Sequence, residues 1–234
     1  MMRGDRPLEI GALIFEGLDQ LDVTGPFEVL SHLPDTVFRL YGKTTAPVRD
    51  MHGLRLLPDA RLDEAPNLDV LVVPGGFGQQ AVMEDEEALA WVERQAGDAT
   101  HVLSVCTGAL ILGAAGLLRG RRATTHWAVR HLLPLFGAVD VDERVVVDGK
   151  VTTTAGVTAG LDGALWLAAA IAGEEAARTI QLFMEYAPQP PFDSGSMTSA
   201  PLSVVESVRR RTQAITAQRE STARRIATKL GIEI

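Results

Sequence analysis

The sequence predicts an α/β fold in which helices cover both faces of a mostly parallel sheet. Short apolar segments of strand length alternate with longer segments of helical periodicity. The segment LDVLVVPGG, residues 68–76, is a continuous apolar run, which is typical of a strand buried on both faces. With 234 residues, 46% of them hydrophobic and 22% charged, the chain has the length and composition of one large globular domain.

The first part of the chain predicts three strands, a hairpin and two helices. Residues 9–15 are a short apolar run bounded by charges, as expected of a buried first strand. The first helix is predicted to begin at Thr24-Gly25-Pro26, with Thr24 as its cap, and to end near residue 33. The remaining predicted elements are a strand at 36–42, a hairpin at 48–57, the strand at 68–76 and a helix at 79–96.

The second part predicts further strand–helix units. A strand at 101–105 meets a turn at Cys106 and a helix at 107–118. Asp148-Gly149 is a strong hairpin signal between two strands. The other predicted elements are a short strand at 123–125, a helix at 127–136, the hairpin strands at 144–148 and 151–154, and helices at 158–172 and 174–186.

The composition changes after the last of these helices. Residues 1–187 are predicted to form the α/β domain, and residues 188–234 a Pro/Ser-rich connector followed by a helix at 203–230. We interpret the basic residues of that helix as a solvated face, on a helix that packs against the domain or a partner subunit. A nucleic-acid contact is the weaker alternative. The basic residues are Arg209, Arg210, Arg211, Arg219, Arg224, Arg225 and Lys229.

Charge and cysteine content argue against several classes of protein. A net charge of -8 and a pI of about 5.1 argue against binding to nucleic acid. The 17 uncharged residues at 102–118 are too few, and too interrupted by small residues, for a membrane span. One cysteine forms no internal disulfide, and no zinc spacing or phosphate loop is present. We therefore expect no metal, no organic cofactor and a cytoplasmic location; the N-terminal residues show no signal-peptide pattern.

Cys106 is the main candidate for chemistry. It lies where an apolar strand meets a helix, at the carboxyl edge of the sheet, where open α/β folds bind their ligands. The helix N-terminus is expected to favour the thiolate, and Thr107-Gly108 supplies small residues for a tight turn. The competing interpretation is an inert buried cysteine. The position favours a nucleophile.

Four other residues are candidates for the same site. The amides of Gly75 and Gly76, at the end of a neighbouring strand, are suited to holding a developing anion together with the amide of Thr107. Asp22 follows the first strand and reaches the sulfur if that strand borders the cysteine strand; the pair would then share one proton. His126 is interpreted as a residue that lines the pocket rather than as the catalytic base.

Five segments carry a resemblance to a known family. LDVTGPFEVL, LDVLVVPGGFG, VLSVCTGALILGAAGLL, ATTHWAV and RVVVDGKVTTTAGVTAGLDGAL occur here in the order found in the ThiJ/PfpI superfamily. The chain resembles the isonitrile (isocyanide) hydratase branch over about residues 8–187, and EYAPQPPFDSGS continues the likeness. The resemblance implies a flavodoxin-like three-layer α/β/α sandwich, a homodimer and a nucleophile at Cys106. Asp22 takes the acidic position of the hydratase branch.

The resemblance also implies a reaction. Thr107 stands where protease-like members carry histidine, which argues against peptidase activity; Ala155 stands where the hydratases carry glycine, which alters the pocket wall. The expected activity is the hydration of a small-molecule isocyanide to an N-substituted formamide through a cysteine thioimidate, with Cys106, Asp22 and Thr107 as catalytic residues. Alternatives are a glyoxalase or deglycase activity and a cysteine redox sensor. An AraC-type regulator is disfavoured because too few residues follow the domain.

Overall fold

The structure is a computed structural model, and it describes residues 6–232 of the chain. Strands and helices alternate through most of this range. The strands are β1 (Leu8–Leu13), β2 (Thr36–Gly42), β3 (Val48–Arg49), β4 (Arg55–Leu56), β5 (Ala60–Arg61), β6 (Val70–Val73), β7 (His101–Ser104), β8 (Arg122–Ala123), β9 (Val139–Asp140), β10 (Val145–Asp148) and β11 (Val151–Thr154). The α-helices are α1 (Leu21–Leu30), α2 (Gln79–Val82), α3 (Glu86–Asp98), α4 (Gly108–Ala114), α5 (Ala159–Ala172), α6 (Glu174–Phe183) and α7 (Leu202–Lys229). Two 3-10 helices span Leu62–Glu64 and Trp127–Phe136.

The central sheet has seven strands in the order β10-β11-β7-β6-β1-β2-β5. All neighbouring pairs are parallel except β10 with β11, which form the hairpin predicted around Asp148-Gly149. The connections between strands run in opposite directions from the middle of the sheet. Strand β1 is followed by β2 on one side, and β6 is followed by β7 on the other. The α/β prediction with a mostly parallel sheet is confirmed.

Apolar layers cover both faces of this sheet. Along β6, Val70 and Val72 point into one layer, whereas Leu71 and Val73 point into the other, as the two-residue period of a strand requires. Helices α1, α5 and α6 pack on the first face; α3, α4, α7 and the 127–136 helix pack on the second. This double burial explains why the segment at 68–76 carries no polar alternation.

Several helix boundaries differ from the prediction. Helix α1 begins at Leu21 rather than Thr24, so Pro26 lies inside it. The single helix expected at 79–96 is two helices, because the Asp85 side chain accepts the Ala88 amide at 3.2 Å and caps a new start. The helix after Cys106 ends at Ala114 instead of residue 118.

The C-terminal helix α7 covers almost the range predicted for it. It packs against the 3-10 helix Trp127–Phe136 and against α2. Thr222, Ala223, Ile226 and Ala227 of α7 are buried. The division of the chain at residue 187 stays a prediction. Among the helices described between residues 6 and 232, none is long and apolar enough to cross a membrane.

Candidate active site

Cys106 occupies a strained turn between β7 and α4. Its φ angle is +56°, a left-handed conformation that residues other than glycine seldom adopt outside functional sites. The Cys106 amide donates to the Ala155 carbonyl at 3.0 Å, and its carbonyl accepts the Thr125 hydroxyl at 2.6 Å. These bonds hold the turn in place. The side chain is 6% exposed, so the thiol lies just beneath the surface of the sheet edge.

Four adjacent parallel strands bring the other groups to the same edge. The carboxyl ends of β11, β7, β6 and β1 lead to Val157, Cys106, Gly75 and Asp22 respectively. The prediction for Asp22 required strand β1 to be the neighbour of β7, the strand that leads to Cys106. The two strands are not neighbours, because β6 lies between them. The chain after β1 crosses the end of β6, where the Asp19 amide donates to the Gly75 carbonyl at 3.0 Å. Asp22 therefore reaches the sulfur across the intervening strand.

Asp22 is fully buried beside the thiol. Its Oδ2 accepts the Gly75 amide at 2.8 Å. Oδ1 is buried and has no hydrogen-bond partner among the residues that the structure describes. Burial raises the pKa of Asp22 well above its usual value and the charge of Asp19 adds to this, while hydrogen bonds from Gly75 and Cys106 oppose it. The carboxyl is thus suited to carry a proton on Oδ1 at neutral pH.

The environment of the Cys106 sulfur disfavours a thiolate next to an ionised Asp22. Burial raises the pKa of the thiol well above its usual value, and the nearby Asp22 carboxylate raises it further. The backbone N–H groups of Val157 and Thr107 hydrogen-bond the sulfur and lower the pKa, but by less. The Thr107 amide at the helix N-terminus thus favours the thiolate, but desolvation and the Asp22 charge outweigh it, so the pKa of the thiol rises. Both shifts disfavour two negative charges in the pair at the same time.

The Gly75-Gly76 turn positions the two side chains beside it. Gly75 donates to Asp22, and the Gly76 amide donates to Thr107 Oγ1 at 3.1 Å. A Cβ on Gly75 would lie 2.5 Å from the Thr107 amide nitrogen, and Gly76 has a φ of +118°, so both positions need glycine. Both amides are already engaged by protein groups. The role that we assign to Gly75 and Gly76 is therefore positioning, in place of the anion binding expected from the sequence.

His126 lies at the start of the 3-10 helix, with a different set of neighbours. Its Nδ1 accepts the Ala128 amide at 3.3 Å, so the neutral ring carries its proton on Nε2. Burial, and secondarily the charge of Arg219, lowers the pKa of His126 to about 4. An imidazole of that pKa is a weak base at neutral pH. This agrees with a role in lining the pocket.

Arg219 is a residue of this site that the sequence analysis missed. It lies on α7, is 4% exposed, and its Nη2 donates to the Gly76 carbonyl at 2.6 Å. The expected solvated position is wrong for this arginine, although Arg209, Arg210, Arg211, Arg224 and Arg225 are exposed. The sequence did contain a signal: Arg219 stands four residues after Ile215 and seven before Ile226, in register with the apolar stripe of the helix.

A cavity of about 410 Å³ opens beside the turn that holds Cys106. His126, Trp127, Ala155 and Met197 are among the residues that line it. The 155–158 segment lines the cavity, and its Val157 amide bonds the Cys106 sulfur. Ala155, singled out as a departure from the hydratase branch, lines the cavity and accepts the Cys106 amide through its carbonyl. Within residues 6–232, no group of three or more His, Cys, Asp or Glu side chains has the arrangement of a metal site.

The fold is a mostly parallel α/β sheet with a cysteine in the turn at its carboxyl edge. The profile of the DJ-1/PfpI family matches residues 9–170, so the chain belongs to that family. It is 49% identical to an isonitrile hydratase of Pseudomonas putida over 225 residues, which are 96% of this chain and 99% of the relative. The crystal structure of a ThiJ/PfpI family protein from Pseudomonas syringae superposes with a TM-score of 0.90 at 37% identity, covering 93% of this chain and 91% of the other. A deglycase of Thermococcus kodakarensis is 29% identical over 61% of this chain and 87% of its own length.

Proposed function

We propose that the protein hydrates isocyanides, R–NC, to N-substituted formamides. The observation that carries this proposal is the buried Cys106–Asp22 pair, in a chain similar over nearly its whole length to an isonitrile hydratase. The terminal carbon of an isocyanide accepts a nucleophile and a proton at one atom. A thiol and a carboxyl that together hold one proton match this demand.

The first half-reaction forms a covalent intermediate. The Cys106 sulfur attacks the isocyanide carbon with its electron pair, and Asp22 delivers its proton to the same carbon. The product is a thioimidate, R–N=CH–S–Cys106, and Asp22 is left as the carboxylate. Because Gly75 holds Oδ2, Oδ1 is the oxygen that we assign to proton transfer.

The second half-reaction releases the product and restores the pair. Asp22 takes a proton from water as hydroxide adds to the thioimidate carbon, and then passes that proton to the nitrogen. The hydroxyl proton of the adduct moves to Asp22 as the carbon–sulfur bond breaks. The formamide R–NH–CHO leaves, with Cys106 as thiolate and Asp22 protonated. The sum is one isocyanide plus one water.

Dicarbonyl chemistry is the second candidate function. It is favoured by the similarity to a deglycase, which is lower in identity and covers less of the chain. The hydratase proposal is preferred because the stronger similarity covers 96% of the chain and so reaches well into residues 188–234, where the connector at the cavity and the helix that carries Arg219 lie.

We also propose that the active form is a cytoplasmic homodimer. Large apolar side chains at the end of α6 and in the connector are mostly exposed in the single chain, namely Leu182, Phe183 and Phe192. A second copy covering them would remove this apolar surface from water. Light scattering coupled to size exclusion tests the proposal: about twice the mass of one 25.1 kDa chain is expected, and the mass of a single chain would contradict it.

Proton NMR of the reduced protein with a simple alkyl isocyanide tests the activity. We expect a formamide proton signal that grows with the wild-type chain and not with Cys106→Ala. Methylglyoxal, assayed in parallel, tests the second candidate. Turnover of the dicarbonyl without any formamide above the Cys106→Ala background would replace the hydratase proposal with dicarbonyl chemistry.

A further inference from the structure

The guanidinium of Arg219 is a buried charge without an acidic partner. Among residues 6–232, no carboxylate forms an ion pair with it, whereas neighbouring arginines of α7 pair with Glu220 and Glu84. Its Nη2 donates to the Gly76 carbonyl, and its Nε is buried with no hydrogen-bond partner in the described part of the chain. Burial lowers the pKa of Arg219 to about 10, so the group stays charged at neutral pH. Burying such a charge is strongly unfavourable unless something nearby balances it.

The charged groups around Arg219 come from three elements of the site. Cys106 at the turn before α4 interacts favourably with the guanidinium when it is a thiolate. His126, at the start of the 3-10 helix, is held neutral by burial and by the arginine. Asp22 on α1, and Asp19 just before it, interact electrostatically with Cys106. The negative charge available to balance Arg219 is therefore the one held by the Cys106–Asp22 pair.

Arg219 also contacts the turn that orients this pair. It holds the carbonyl of Gly76, whose amide donates to Thr107, while the preceding Gly75 amide donates to Asp22. One backbone turn thus links the C-terminal helix, the acid and the residue after the nucleophile. A side chain placed only to anchor α7 would not need to be charged, nor to end at this carbonyl.

We propose that Arg219 is a positioning residue of the active site: it fixes the Gly75-Gly76 turn through the Gly76 carbonyl and balances the negative charge of the Cys106–Asp22 pair. This deepens the proposed function and rests on Cys106 being its nucleophile. Helix α7 is then part of the catalytic unit. The guanidinium touches no reacting atom, and acts through the field at the sulfur and through the turn.

The pH dependence of Cys106 alkylation measures this effect without any isocyanide. Cys106 is the only cysteine, so iodoacetamide uptake reports on one sulfur. In Arg219→Met we expect the apparent pKa of alkylation to rise by about one pH unit, since a nearby opposite charge favours the ionised form. Arg219→Lys keeps a charge and should lie close to wild type. Arg211→Met, the same change at an exposed position of α7, is the matched control.

Turnover and folding separate this proposal from a structural role. With isocyanide, Arg219→Met should lower kcat about ten-fold with little change in KM. Arg219→Gln, whose amide can still donate to Gly76, serves if the Met variant does not fold. A folded Met or Gln variant whose alkylation profile superimposes on wild type would overturn the proposal. So would failure of all three Arg219 variants to fold while Arg211→Met folds. If Arg219→Met shifts the alkylation pKa but the wild-type chain forms no formamide, the role of Arg219 is supported and the proposed hydratase activity is contradicted.

Discussion

The pKa of His126 gives the most quantitative prediction: the folded chain should lose stability in acid because of this residue. The ring is partly buried beside Arg219, and its Nδ1 accepts the Ala128 amide. The pKa of His126 falls from an ordinary 6.5 to about 4 in the folded chain, because of burial first and the arginine second. A pKa difference of about 2.5 corresponds to about 3 kcal/mol of unfolding free energy. The unfolded chain takes up this proton first as the pH falls. The contribution is therefore complete above about pH 6.5 and is lost by about pH 4.

His126→Asn isolates this effect. Asparagine is neutral at every pH, and its side-chain oxygen can still accept the Ala128 amide at the helix start. Urea unfolding followed by circular dichroism, at intervals between pH 7 and pH 4, gives the free energy of unfolding of each protein. We expect the wild type to lose about 3 kcal/mol more than the variant across this range. Other titrating groups are common to both proteins and cancel in the difference. A constant offset between the two curves would refute the argument that His126 is held neutral in the folded state.

Three further substitutions test the site and its frame. Asp22→Asn should lower kcat/KM for isocyanide about 100-fold or more in an NMR rate assay. Because burial raises the pKa of this carboxyl, its ionised form destabilises the folded chain. The variant should therefore resist urea better than wild type at pH 8, and this advantage should shrink towards pH 4 as the carboxyl of the wild type takes up its proton. Gly75→Ala should lower both Tm and turnover, since its Cβ would lie 2.5 Å from the Thr107 amide, whereas Gly97→Ala, with open space around its Cβ, should change neither; equal effects would contradict this account. Lys150→Met should cost about 1 kcal/mol in urea unfolding without changing turnover, because the ammonium donates to three carbonyls at and just after the end of α3; a loss of activity in the folded variant would count against it.

The sheet and the position of Cys106 at its edge could be predicted because their signals are local. A continuous apolar strand, a Cys-Thr-Gly turn and a helix lie within about twenty residues of sequence, and parallel strands bring such turns to one edge. The position of Asp22 followed from the same rule, although strand order alone would have separated it from Cys106. The site assignments themselves remain predictions.

The sequence analysis missed features of two kinds. Some depend on tertiary contacts, and others had a signal in the sequence that a stronger pattern in the same segment outweighed. Arg219 acts at Gly76, a residue 143 positions away, and becomes buried only when α7 docks on the 3-10 helix. Its position on the apolar stripe was outweighed by six other basic residues in the same helix. The raised pKa of Cys106 was missed because the helix N-terminus was weighed without the desolvation that only packing reveals. The helix start at Asp85 had a local signal, a capping aspartate, inside a longer helical pattern.

The distance along the chain between Cys106 and Arg219 has a consequence for biosynthesis. A ribosome releases the strand and turn that carry the cysteine more than a hundred residues before it releases the arginine. Parts of a chain that emerge first can begin to fold before synthesis ends. On the role proposed for Arg219, a nascent chain would hold its sulfur in an incomplete electrostatic setting until α7 docks. Maturation of the nucleophile would then wait for the synthesis and docking of α7, and a shorter nascent chain would be spared a fully activated thiolate.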